Sequence, residues 1–168
     1  MHTCRAVGLE FIDQAPHRAV AETTIRATPE QIFEVFEDAE AWTVWVPLIQ
    51  KVEWTSPRPF GVGTTRTVTM KGGLVGKELF LAWERGKRMA FRFTEASMSG
   101  VGAFAEDYRL TDLGDGRCHV HWVMALEPTG PNAIVMRLFG WALGFGLQLM
   151  LGRLKSYVES RYPAARAA

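Results

Sequence analysis

The hydrophobic pattern changes period along the chain. From Val20 to Leu126 apolar and polar residues mostly alternate in short runs broken by glycine- and proline-bearing turns; after Pro131 the apolar positions recur at helical spacing. The last stretch, Asn132–Ser160, reads as one long helix, opened by Pro131-Asn132 and closed before Pro163. At about 100° per residue, Met136, Phe139, Leu143, Leu147, Met150, Leu151, Leu154 and Val158 fall within about 60° of one line. The opposite face is apolar at Ile134, Leu138, Trp141, Phe145 and Leu149, then turns polar at Gly152, Ser156 and Glu159. The first half of the helix is therefore apolar all round and needs a cover on every side, whether sheet, ligand, partner or lipid.

The alternating region predicts strands at Val20–Arg26, Ile49–Trp54, Thr64–Met70, Val75–Glu84, Arg88–Glu95, Phe104–Leu110 and Cys118–Leu126. Their connections at Lys71-Gly72-Gly73, Arg85-Gly86-Lys87 and Gly114-Asp115-Gly116 are of hairpin size, which makes the sheet antiparallel. Between the first two strands, Thr28-Pro29-Glu30-Gln31 carries helix-start chemistry, and the helix runs to about Asp38. A shorter helix or turn, Ala39–Leu48, holds Trp42 and Trp45. The apolar face of such a sheet needs a cover, and only the C-terminal helix is long enough. The expected class is α+β: a curved antiparallel sheet of about six to seven strands wrapped around that helix. Residues 1–19 read as a leader packed on the domain, 20–162 as a single ligand-binding domain, and 163–168 as a flexible tail.

Composition adds exclusions. With 168 residues, 48% hydrophobic and 22% charged, the chain has one globular domain's worth of core. A net charge of +1 gives no reason to expect nucleic acid or an anionic membrane as partner. Cys4 and Cys118 form neither a disulfide framework nor a metal spacing, and Cys118 reads as a small buried hydrophobe. Ile134–Leu151, the one segment to weigh as membrane-spanning, holds Arg137, Gln148 and several glycines and is short for a span. The N-terminus lacks a signal-peptide core, so a cytoplasmic location is the default expectation.

Four strings in order, TIRATPEQIFEVFEDAEAWTVWVP at 24–47, GVGTTRTVTM at 61–70, KELFLAWERGKRMAF at 77–91 and EDYRLTDLGDGRCHVHW at 106–122, resemble the START-like, or helix-grip, superfamily in its polyketide cyclase/dehydrase (SRPBCC) branch. The leader is similar to that of actinobacterial members. The resemblance implies a helix-grip (Bet v 1-like) fold with a hydrophobic cavity between sheet and long helix, holding a lipid-like or polyketide/aromatic molecule. The fold hosts binders and enzymes alike.

Alternation places Arg66 on one face with Val68 and Met70, and Glu106 with Phe104, Tyr108 and Leu110. Phe91 and Phe93 line up on the neighbouring strand, and Val120 and Trp122 on the last. With Trp45, Phe139, Leu143 and Leu147 these residues are the expected cavity lining. Arg66 and Glu106 are the charges that intrude. They either satisfy one another or grip a polar end of the ligand, since a buried charge is costly unless paired. Glu78 shares a face with Phe80 and Ala82 that could be inner or outer. Trp42 and Trp45 could wall the cavity, although packing is the preferred reading. His119 and His121 share a face opposite Val120 and Trp122, hence outward, and no further ligands sit at metal-binding spacing; neither a metal nor a cofactor is expected. No nucleophile elbow, P-loop or dinucleotide fingerprint is present. Gly61-Val62-Gly63 reads as a flexible loop at the cavity mouth.

Three functions remain open: a binder of a hydrophobic small molecule; a cyclase or dehydratase with Arg66, Glu106 and Tyr108 as candidate catalytic residues; and an interaction module. In the last, Ile134, Leu138, Trp141 and Phe145 would bind a second copy or a membrane surface.

Overall fold

The computed structural model describes residues 1–163. Residues 164–168 and the side chain of Phe139 lie outside the described residues, and with them the expected tail and the expected cavity contact of Phe139. The chain order is β1 (His2–Thr3), α1 (Phe11–Gln14), β2 (His17–Ile25), α2 (Pro29–Glu37), α3 (Ala39–Trp45), β3 (Ile49–Trp54), β4 (Thr65–Met70), β5 (Leu74–Glu84), β6 (Arg88–Ala96), β7 (Val101–Asp112), β8 (Cys118–Pro128), α4 (Pro131–Phe139) and α5 (Trp141–Arg161). The strands form one antiparallel sheet in the order β2-β8-β7-β6-β5-β4-β3, with β1 added against β6. Register shifts at Ile49/Lys51, Lys77/Glu78, Phe80/Ala82 and Val101/Ala103 insert the irregularities that let a sheet bend. All seven expected strands are present, and the first begins at His17 rather than Val20.

Local chemistry sets the helix starts. The Thr28 hydroxyl accepts from the Gln31 N–H at 3.3 Å, while the Gln31 side chain accepts from the Thr28 N–H at 2.9 Å, a complete capping box before Pro29. Asp38 ends α2 and caps α3, accepting from the Glu40 and Ala41 N–H groups. It also accepts from Arg161 Nη1 at 2.6 Å, which ties the end of α5 to the α2–α3 junction.

Helix α5 buries Leu147, Leu151, Leu154 and Val158 in the main core, as the apolar stripe requires. It lies along β2, an edge strand. There the Gln148 amide both donates to the Glu22 carbonyl (3.1 Å) and accepts its N–H (3.4 Å), and Glu159 accepts from the Arg26 N–H at 3.0 Å. These side chains satisfy an edge that would otherwise invite another strand.

The single long helix expected at Asn132–Ser160 is two helices. The axes of Pro131–Leu138 and Trp141–Arg161 differ by 75°. Gly140 stands at the break, where an added Cβ would meet the Met136 carbonyl oxygen at 2.5 Å, so the turn there needs a residue without one. Gly144 and Gly146 have nothing within 4 Å of such a Cβ, so no described neighbour requires glycine at either position. The leader does not cover the far face of these helices either. Val7, Phe11 and Ile12 pack instead on the convex side of the sheet against Ala103, Ala105, Val123 and Ala125, where small side chains admit a second layer. Ile134, Leu138, Trp141, Phe145 and Leu149 are consequently exposed.

Truncating Leu154, fully buried on α5, to Ala is expected to cost about 2–5 kcal/mol in urea unfolding, whereas Leu149→Ala on the exposed face should change stability by no more than ~0.5 kcal/mol. Equal losses would place the helix the wrong way round.

Candidate functional site

The concave face is built by period-two alternation on five adjacent strands. Arg66 and Val68 come from β4, Glu78 and Phe80 from β5, Phe91 and Phe93 from β6, Phe104, Glu106 and Tyr108 from β7, and Val120 and Trp122 from β8. Helices α2 and α3 add Phe36, Trp42 and Trp45, and α5 adds Leu147 and Leu151. Together they form an inner face whose fully buried part is a floor, in which Arg66 is 1% and Glu78 4% exposed.

Arg66 and Glu78 are directly opposed across β4 and β5, and Arg66 Nε donates to Glu78 Oε2. The guanidinium carbon sits 4.1 Å from the Trp42 ring centroid, 4.9 Å from Phe91, 5.2 Å from Phe80 and 5.3 Å from Trp54. Four aromatic rings thus return part of the solvation that water would give the cation. Burial nevertheless raises the Glu78 pKa and outweighs the pull of Arg66. Of the two alternatives for Arg66 and Glu106, mutual pairing is not what the structure shows: the acid bonded to Arg66 is Glu78. Arg66 meets Glu78 because those two share a register position, whereas Glu106 lies two strands further on, opposite Phe91.

Glu106 has its own partners. Oε2 accepts from the Tyr108 hydroxyl at 2.6 Å and from Trp122 Nε1 at 3.1 Å. Tyr108 stacks on Trp122 with centroids 5.0 Å apart, and Trp122 meets Trp45 edge-on at 5.9 Å. Burial pushes the Glu106 carboxyl up to about 7. The Tyr108 hydrogen bond opposes that rise, the Glu78 charge adds to it, and Arg66 and Trp122 hold it back. The Tyr108 phenol is driven well above its ordinary range, by burial first and by Glu106 second. Glu106 can therefore hold or release a proton near neutral pH, whereas Tyr108 stays a donor.

Three buried donors on or beside this floor, Arg66 Nη1, Trp45 Nε1 and Trp54 Nε1, have no hydrogen-bond partner among the described residues. Above the floor the same face stays apolar but opens: Met70, Phe93, Phe104 and Met124, with Leu143 and Met150 of α5, are only partly buried. Phe93 and Phe104 pack at 4.2 Å. At the other end of the fold, a groove of about 460 Å³ is lined by Glu34, Glu37, Asp38, Ala39, Trp54, Arg58 and Arg161. There the loop before β4 folds Phe60 onto Trp54 at 4.1 Å and leaves Val62 exposed.

Of the expected lining, Trp45, Arg66, Val68, Phe91, Glu106, Tyr108, Val120, Trp122 and Leu147 are buried on this floor, and Met70, Phe93, Phe104 and Leu143 stand above it. Glu78, Trp42, Trp54 and Phe80 complete the polar centre. Glu78 was legible only as one of two alternatives, and its alternation with Phe80 and Ala82 was the available signal. His119 and His121 are half-buried and alternate with Val120 and Trp122; no group of three metal-ligating side chains occurs among the described residues.

The family model described as polyketide cyclase / dehydrase and lipid transport matches residues 16–159. The chain belongs to that family. Uncharacterized proteins of Mycobacterium tuberculosis and Mycobacterium bovis are 46% identical over 166 residues, covering 99% of this chain and of each of them. Among solved structures, a START superfamily protein from Mycobacterium smegmatis superposes with a TM-score of 0.69 at 16% identity, covering 86% of this chain and 99% of that one. The Zhui aromatase/cyclase of a Streptomyces species gives a TM-score of 0.69 at 15% identity, over 90% and 98% of the two chains. These likenesses establish the START-like fold of this family member.

The raised Glu106 pKa makes a signed prediction. An unfolded glutamate loses its proton near pH 4.3 and folded Glu106 near 7, so between them the folded state binds more protons and stability falls as pH rises. The fall should total about 4 kcal/mol and level off above neutrality. Glu106→Gln keeps an acceptor for Tyr108 and Trp122 without the charge; it should flatten that slope and be the more stable protein at pH 8. An unchanged slope in pH-dependent urea unfolding would assign the shift elsewhere.

Proposed function

We propose that this protein binds a hydrophobic small molecule, lipid-like or polyketide/aromatic, between the sheet and α5. The observation that carries the reading is the two-tier inner face. A floor of buried rings holds donors without acceptors, and above it stand apolar side chains that the helices leave partly open. A ligand with an apolar body and an oxygen at one end matches both tiers. The body would rest on Phe93, Phe104, Met124 and Leu143, and the oxygen would accept from Arg66 Nη1 or Trp45 Nε1. A cytoplasmic setting belongs to this proposal and rests on two buried, unpaired cysteines.

A second reading, a cyclase or dehydratase acting on a polyketide-like chain, is favoured by one observation. Glu106 lies at neutral pKa beside Tyr108 in the same floor. In that reaction Glu106 would take a proton from the carbon next to a ketone, while Arg66 polarised the ketone oxygen. Glu106→Gln should then abolish turnover of a poly-β-ketone and leave binding in place. Unchanged turnover would clear Glu106 of a catalytic role.

The binding reading is tested by native mass spectrometry of the protein as purified, together with titration of an environment-sensitive hydrophobic dye. A co-purifying small molecule, or saturable uptake of one dye per chain that is competed by long-chain phenols or fatty acids, is expected. No bound mass and no saturable uptake would overturn it.

A further inference from the structure

The far face of α4 and the first half of α5 has no cover among the described residues. Ile134, Leu138, Trp141, Phe145 and Leu149 are 56–78% exposed, with Trp141 the most open at 78%. On α5, Trp141, Phe145 and Leu149 recur every four residues and form one stripe. Beyond Leu149 the surface continues into a groove of about 550 Å³ where Val44 and Arg153 also lie. Contiguous apolar surface of this kind marks a site of interaction.

Charge decides between occupants. Residues 128–158 contain no Asp or Glu, and their charges are Arg137, Arg153 and Lys155. A second copy meeting this face about a twofold axis would bring cations towards cations. An anionic lipid surface offers the opposite sign to the basic residues and hydrocarbon to the rings. Acids that flank the segment lie off it: Glu22 of β2 sits against His119 of β8, Glu127 is bridged to Arg5, and Glu159 pairs with Arg26. No single described helix is long and apolar enough to cross a membrane. The two helices pass that test of length and composition only together, and their 75° bend keeps them from forming one straight rod. Apolar enough for lipid yet bent, basic and laid on a folded domain, the pair has the character of an interfacial element rather than a span. The overall charge of +1 conceals this, because the acids are distributed over the rest of the chain.

We propose that α4 and the first half of α5 dock this protein on anionic bilayer surfaces, with Trp141 and Phe145 inserted among the acyl chains and Arg137 and Arg153 against the headgroups. The proposal stands apart from the ligand-binding reading, since dye uptake and vesicle binding are separate measurements. It is tested by flotation of the full chain with vesicles of phosphatidylcholine containing about one-third phosphatidylglycerol, and with phosphatidylcholine alone. Binding to the anionic vesicles, weakened by salt and lower by roughly tenfold or more on neutral ones, is expected. The double variant W141S/F145S, whose side chains are exposed and so dispensable to the fold, and Arg137→Glu should each reduce binding by a similar factor with an unchanged circular-dichroism spectrum. Equal binding to both vesicle types, no binding to either, or variants that bind like the parent would each overturn the proposal. So would a concentration-dependent dimer in sedimentation equilibrium that W141S/F145S dissociates, in a protein that ignores vesicles.

Discussion

A guanidinium and a carboxylate buried together under a sheet constrain everything around them. Taking both ions from water costs several kcal/mol each in effective terms, and a single hydrogen bond between them returns only part of that. The Glu78 pKa carries the same message, because burial outweighs the attraction of Arg66. The four rings around Arg66 supply a further share through their faces. They also explain why Trp42 on α3, Trp54 on β3, and Phe80 and Phe91 on the central strands converge on one point. A chain selected for stability alone would do as well with methionine and leucine there, and the proposed ligand-binding role gives the charge a use that stability does not.

The rest of the architecture keeps that centre dry. The strand bulges curve the sheet, α3 and α5 shield its two edges, and the leader seals the convex side over Ala103, Ala105 and Ala125. The helical cover breaks at Gly140, and the inner face is only partly buried at Phe93, Phe104 and Met124. The polar centre and the apolar opening lie on one continuous face. An amphipathic ligand needs such a face, and a well-packed core does not.

The strands, the two short helices and the composition of the inner face were legible because each rests on local chemistry: alternation, a capping box, hairpin glycines. Register was not, and it decides the partner of Arg66. Arg66 and Glu106 share a face by alternation, but only the count of strands between them shows that Glu78 is the nearer acid. The break at Gly140 was hidden because the apolar stripe continues in phase across it; the glycine itself was the signal. The placement of the leader could have been suspected from the alanines at 103, 105 and 125, whose small side chains leave room for a second layer on the outward face.

The central claim is that the buried pair is kept for a ligand rather than for the fold, and the double variant Arg66→Met with Glu78→Leu tests it most directly. Replacing both ions by apolar side chains of similar size should leave unfolding stability unchanged or raised by about 1–4 kcal/mol. Saturable uptake of an oxygen-bearing hydrophobic ligand, measured by the same dye-competition titration, should weaken roughly tenfold or more. A double variant that loses several kcal/mol of stability, or that takes up the ligand as well as the parent protein, would contradict the account.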